Sequence, residues 1–327
     1  MNTDIRTLCD NYLEDLNKMN KALVWDSNIG NPIYTSIILS YKKRFDAEHF
    51  KYCGKILKSH EGIFSDFRSY SNLATITTLA CAADPEIKMQ QLSDTYKMLK
   101  EDFLKSSYLP VASIILNELS DNKVKQTEIV NRARNIYKRL KSNHMFLLDK
   151  SQSPYFLSLA LLEKSDDTIV NEIEECVTIL KGITSKQYAL NVAIVLTTNP
   201  GTPEEKCRKF INLYNSLLDK NIKFRKDHFL SVLAILSTLD ISNEQLAIDM
   251  KEVINYLRGH KPYTNLFGYG KKDCYVHSAG LLCTYYNSAE GECIALTNTI
   301  TAIIAYETAV MAAIAASSAA AASAASC

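Results

Sequence analysis

Turn-forming residues are scarce in this sequence: it holds 10 glycines and 7 prolines among 327 residues, about 5% where average usage gives about 12%. Sheet sandwiches and barrels need frequent turns, so this shortage excludes an all-β chain. Charge of one sign is missing too. Lysine and arginine number 37 against 36 aspartates and glutamates, a net charge of +1, so no global field selects nucleic acid or an anionic membrane. Apolar residues at 47% and charged residues at 22% exclude wholesale disorder. A chain of this length can bury a sizeable core, as one large domain or two modest ones.

Compact signatures of chemistry are equally absent. The sequence has no GxSxG elbow, no GxGxxG after a strand and no Walker loop. Its histidines, His49, His60, His144, His228, His260 and His277, form no HxxxH or HExxH pair. Nine cysteines, at 9, 53, 81, 176, 207, 274, 283, 293 and 327, contain no CxxC pair. An odd, scattered set of this kind reads as reduced thiols in a cytosol. A zinc site built from Cys274, Cys283 and Cys293 lacks the usual close spacing. The opening Met1–Arg6 carries charge where a secretory signal carries its apolar stretch. These observations predict a cytoplasmic protein with no implied cofactor or metal, and they supply almost nothing in favour of an enzyme.

What the sequence does contain is internal repetition. Apolar residues spaced 3, 4, 3 recur as Met89, Leu92, Tyr96, Leu99; Val130, Ala133, Tyr137, Leu140; and Val170, Ile173, Val177, Leu180. Cys207, Phe210, Tyr214, Leu217 and Ala247, Met250, Ile254, Leu257 continue the series. Each set places one stripe along a helix. The last members, at 99, 140, 180, 217 and 257, are separated by 41, 40, 37 and 40 residues. A weaker copy lies at Ala47, Phe50, Gly54 and Leu57. Between these helices run more apolar segments, at 33–41, 73–81, 111–119, 156–162, 189–196 and 229–239.

Loop aromatics, including Phe67, Phe103, Phe224 and Phe267, precede an aromatic near the next helix start: Tyr70, Tyr108, Phe229 and Tyr275. Ser153 with Pro154, Asp227 and Asp273 are candidate helix starts. Acidic or polar turns such as Asp84–Glu86 and Ser165–Asp167 stop one helix and cap the next.

The predicted fold is therefore all-α, built from stacked helical hairpins of about 40 residues, each with a buried first helix, a capped turn and an amphipathic second helix. The spacing resembles the HEAT and armadillo range of roughly 40–47 residues. An open curved array and a compact helical globule both satisfy the pattern. The predicted boundaries are a leading helix or cap at 1–30, six hairpins over 31–257, a connection at 258–273, and closing apolar helices with an Ala/Ser-rich tail at 274–327.

From Cys293 onward the chain carries a single charge, Glu307. The segment 294–314 is long enough to span a bilayer. Asn298, Glu307, four threonines and many alanines make it a poor insertion candidate. A buried helix, with Ile300, Ile303, Ile304 and Val310 in the core, fits better; a modifiable tail carrying Ser317, Ser318, Ser323, Ser326 and Cys327 is a further alternative. The hairpin pattern, the length and the run from Ile304 to Ala309 into Ala312–Ala315 resemble the bacterial family catalogued as domain of unknown function 4003. That resemblance implies a bacterial cytosolic protein and brings no activity or catalytic residue with it.

Two regions stand out as candidate sites. The stretch 258–277 gathers His260, Tyr263, Tyr269, Lys271, Lys272, Asp273 and His277. Long polar and aromatic connections often carry function, and its glycines and lysines could present N–H groups to an anion. The same stretch also reads as a plain linker. A basic cluster, Lys123, Lys125, Arg132, Arg134, Lys138, Arg139 and Lys141, is followed by acidic Glu163, Asp166, Asp167, Glu172, Glu174 and Glu175. Charge complementarity along the array explains that succession more simply than nucleic acid does. The function predicted from the sequence is a scaffold for a protein or peptide partner. Its rivals are an enzyme or small-ligand or metal-binding protein with a pocket near 258–277, and membrane association through the C-terminal apolar segment.

Overall fold

Two kinds of helix alternate along the chain. The computed structural model describes residues 1–23, 30–63, 65–69, 71–103, 108–120, 122–145, 147–148, 153–224, 229–265 and 268–290. Among them are fourteen α-helices and no strand. The odd-numbered helices are amphipathic: α1 (Thr3–Ala22), α3 (Ala47–His60), α5 (Pro85–Asp102), α7 (Lys123–Asn143), α9 (Asp166–Leu180), α11 (Pro203–Asp219) and α13 (Asn243–Arg258). The even-numbered ones are mostly shorter and more apolar: α2 (Asn31–Ser40), α4 (Asn72–Cys81), α6 (Leu109–Leu119), α8 (Ser153–Leu159), α10 (Lys186–Thr197), α12 (Leu230–Thr238) and α14 (Lys271–Glu290). In α12 every residue from Leu230 to Ser237 is buried. A helix apolar on all sides must be covered on all sides.

The contacts deliver that covering by closing the array on itself. Each even helix packs on the next even helix, from α2 through α14, and α14 packs back on α2. The odd helices form a second ring outside the first, from α1 through α13, with α13 meeting α1. Of the two architectures the sequence leaves open, an open curved array is thereby replaced by a closed one. The helix α1 joins the two ends, touching α2, α3, α13 and α14.

The hairpin expected from the sequence is also corrected. Tightly packed sequence neighbours are an outer helix and the inner helix after it, as in α3–α4, α5–α6, α9–α10 and α13–α14. The short capped turns instead step outward and sideways, so α2–α3, α6–α7, α8–α9 and α12–α13 barely touch.

The turn chemistry explains which end is which. Asp46, Asp84, Asn122, Ser165, Thr202 and Ser242 stand just before α3, α5, α7, α9, α11 and α13, and each accepts backbone N–H groups of the first turn. Thr202 and Glu205 complete a reciprocal capping box. All six caps therefore lie on one rim, where inner helices end and outer helices begin. The opposite ends of these helices, with the described residues 61–63, 65–69, 220–224 and 259–265 of the longer connections, lie on the other rim. Ser153 is the first residue of α8 rather than its cap. Asp273 lies in the first turn of α14 and accepts the Gly270 N–H at 3.0 Å. That bond starts α14 at Lys271, one turn before the expected apolar segment at 275.

The apolar stripes read from the sequence face inward. Val130, Ala133, Tyr137, Leu140 and their counterparts on α9, α11 and α13 are buried. In the weaker copy Ala47 is exposed, and the buried face is Phe50, Cys53, Ile56 and Leu57. The basic and acidic clusters meet across α7 and α9. Arg132 pairs with Asp166 at 3.0 Å, Arg139 pairs with Asp167, and the Asn143 side chain donates to Glu174 at 3.0 Å. Arg132 also donates to the carbonyls of Ala160 at 2.8 Å and Leu162 at 2.6 Å.

The expectations for 291–327 (burial of the isoleucines, membrane anchoring, a modifiable tail) and the cap at Asp227 lie outside the described residues. Among those residues, no helix is long and apolar enough to cross a membrane.

Helix phase on α7 is directly testable, because Leu140 is fully buried while Lys138 faces outward. Leu140→Ala should lower stability by about 2–5 kcal/mol and Lys138→Ala by less than about 0.5. Denaturant midpoints check this, and equal effects would mean the phase is wrong.

Candidate functional site

The connection singled out in the sequence divides in two. His260, Lys271 and Lys272 are exposed and Asp273 is half-buried. The His260 Nδ1 lies 2.8 Å from the Tyr256 carbonyl and its ring stacks at 4.5 Å on Tyr256. Tyr263, Tyr269 and His277 come together inside, with ring centroids 5.3–5.8 Å apart. Their polar atoms reach across to α1. The Tyr12 hydroxyl, the Tyr263 hydroxyl and His277 Nδ1 stand 2.8 Å apart in series, and Tyr269 donates to Asn20 at 3.2 Å. Desolvation pushes the His277 pKa down to about 3, and burial holds the Tyr12 and Tyr263 hydroxyls well above their usual value. The cluster is an uncharged, hydrogen-bonded plug that joins α1 to α14.

A second place, on the opposite rim, went unnoticed in the sequence. The C-terminal ends of α2, α4 and α6 and the start of α5 surround an open cavity of about 240 Å³, lined by Tyr41, Thr78, Cys81, Ala82, Ala83, Lys88 and Glu118. Glu118 Oε1 pairs with Lys88 Nζ at 3.0 Å, and Glu118 Oε2 accepts from the Tyr41 hydroxyl at 3.1 Å. Lys43 Nζ donates to the carbonyls of Ala80 at 3.3 Å and Ala82 at 3.1 Å, capping the end of α4. A narrow slot of about 20 Å³ that shares Tyr41, Thr78 and Glu118 with this cavity lies between Tyr34, Ile37, Ala74, Thr77, Val111 and Ile114. It has room for one water-sized group.

Each helix contributes for a simple reason. The inner helices are mostly apolar, and the charged side chains on them stand near their ends. Glu118 stands one residue before the end of α6 and Tyr41 one residue after α2. Lys88 reaches in from α5, which starts only four residues after α4 ends.

The Cys81 thiol in the cavity wall is pushed up to about 12 by burial and stays protonated at neutral pH. Among the described residues, no three or more His, Cys, Asp or Glu side chains are grouped to hold a metal ion. The only sequence signal for the cavity was an isolated acidic residue, Glu118, in the otherwise apolar α6.

The buried imidazole predicts an acid dependence. Unfolded, His277 titrates near 6.5; folded, it stays neutral to about 3. Between those values the unfolded chain binds the extra proton, so stability is complete above 6.5 and falls as pH falls. Going from about pH 7.5 to 5 should cost about 2 kcal/mol through this residue alone. Urea midpoints of the wild type and His277→Gln should show a shallower acid limb in the variant. Parallel limbs would contradict the buried neutral ring.

Comparison with known proteins gives one family. Neither the characterised proteins nor the solved structures compared with this chain include a match. The sequence profile of a family described as a protein of unknown function, DUF4003, matches residues 15–312. That span takes in thirteen complete helices and the C-terminal part of α1, and the chain belongs to the DUF4003 family.

Proposed function

We propose that this protein binds a small molecule in the cavity on the capped rim. The observation that carries the reading is the ion pair Lys88–Glu118, joined by the Tyr41 hydroxyl, set in the wall of a cavity of about 240 Å³. Polar groups that converge in a concave wall over an apolar floor are the usual composition of a small-molecule site. Charges there are shielded from water on one side, so their interactions exceed those of surface pairs.

Closure of the helical array bears on the scaffold reading. An open array offers a concave face to a peptide. Here the inner helices face one another, and that face is occupied by the protein's own core. The small-ligand alternative gains support, with its location moved from the 258–277 connection to the opposite rim. The protonated Cys81 favours binding over covalent chemistry.

A thermal-shift screen tests the reading with defined classes at millimolar concentration: amines, carboxylates, amino acids and sugars. At least one class should raise Tm by mass action. The rise should vanish in Thr78→Trp, which fills the mouth, while the far-ultraviolet spectrum stays helical. No shift from any class, or a shift that survives Thr78→Trp, overturns the reading.

A further inference from the structure

We propose that the ligand of this cavity is a small zwitterion, an α-amino acid with a side chain no larger than that of serine; the inference rests on the binding reading above. The wall carries one charge of each sign, 3.0 Å apart, with side chains 16% and 23% exposed. Both charges are reachable from the same cavity. A ligand that bears an ammonium and a carboxylate on one carbon presents the matching pair. It exchanges one ion pair for two and leaves no charge unpaired. A ligand with a single charge leaves either Lys88 or Glu118 without a partner in a half-buried wall, and that is costly.

The helices set the orientation. Lys88 projects from near the N-terminal end of α5, where the macrodipole favours an anion. Glu118 stands in the last turn of α6, at the negative end of that helix's macrodipole. Both favour a cation. The ligand carboxylate therefore lies toward α5 and its ammonium toward α6.

The adjoining slot limits the side chain. Its volume of about 20 Å³ admits one water-sized group. Thr77 lines it, is 1% exposed, and its hydroxyl has no hydrogen-bond partner among the described residues. Thr75 and Thr78 on the same helix instead donate to the carbonyls of Ser71 and Ala74 at 2.9 Å. A buried hydroxyl without a partner costs stability, so the Thr77 hydroxyl selects a hydroxymethyl group over a methyl group.

Isothermal titration of the full chain with L-serine, L-alanine, ethanolamine and glycolate tests this. L-Serine should bind one per chain, about tenfold or more tighter than ethanolamine or glycolate, a margin of about 1.4 kcal/mol. Lys88→Met and Glu118→Gln should each weaken it at least about tenfold. The double variant Lys88→Met, Glu118→Gln leaves no unpaired charge; it guards against misfolding and should lose binding as well. Thr77→Val should weaken L-serine and leave L-alanine unchanged. The zwitterion assignment is overturned if ethanolamine or glycolate binds as tightly as L-serine, or if L-serine is indifferent to all the charge variants. It is also overturned if neither amino acid binds while another class in the thermal-shift screen does. If no class binds at all, the cavity reading itself fails.

Discussion

The packing of α14 on α2 is the contact on which the other arrangements depend. Every inner helix is too apolar to tolerate a wet flank. An open row of such helices ends in two bare apolar faces, those of α2 and α14. Burying a face of several aliphatic side chains is worth about 1.5–3 kcal/mol for each of them, so the two ends satisfy each other. Ile33 and Ser36 from α2 and Val276, Gly280 and Cys283 from α14 line one narrow pocket at this seam. Polar groups then fix its register. Tyr12, Tyr263 and His277 bridge α1 to α14, and Tyr256 donates to Asp10 across α1 and α13. Arg44 grips the buried Asp15 carboxylate through two bonds, at 2.8 and 3.0 Å, which ties α1 to the turn after α2.

Much of this was legible in the sequence, and the parts that were not share a physical reason. The stripe Val130, Ala133, Tyr137, Leu140 is local, and local periodicity specifies which face of α7 is buried. The caps Asp84, Ser165 and Ser242 are local too. Closure brings residue 36 against residue 280, and no spacing rule reaches that far. The hairpin phase was misread because a short turn suggests a close pair. The short turn after α2 instead crosses to the neighbouring sector, and the longer connection after α3 folds α4 onto it. The aromatic cluster around Tyr263 resembled a site in sequence because buried hydrogen-bonding aromatics and site aromatics have the same composition. The cavity was invisible because Tyr41, Lys88 and Glu118 come from three separate stretches, each contributing one ordinary residue.

The two rims therefore divide the work. The rim of longer connections carries the plug that secures the seam, and its polar atoms are consumed by one another. The rim of capped turns presents the ends of the inner helices, where acceptors collect and lysines answer them: Lys43 on α4 and Lys88 on Glu118. The polar recess at the edge of the ring is the feature on which the small-ligand proposal rests. Membership of the DUF4003 family selects no ligand.

Closure is the claim from which both rims follow, and a covalent link across the seam measures it most directly. A side chain placed at Gly280 would have its Cβ 3.9 Å from the Ser36 Oγ, so cysteines at the two positions would face each other across the seam. In the Ser36→Cys, Gly280→Cys double variant, mild oxidation followed by peptide mass mapping should recover the 36–280 cross-link from monomeric protein with an unchanged helical spectrum. A natively folded monomer in which those two cysteines stay unlinked would contradict the ring.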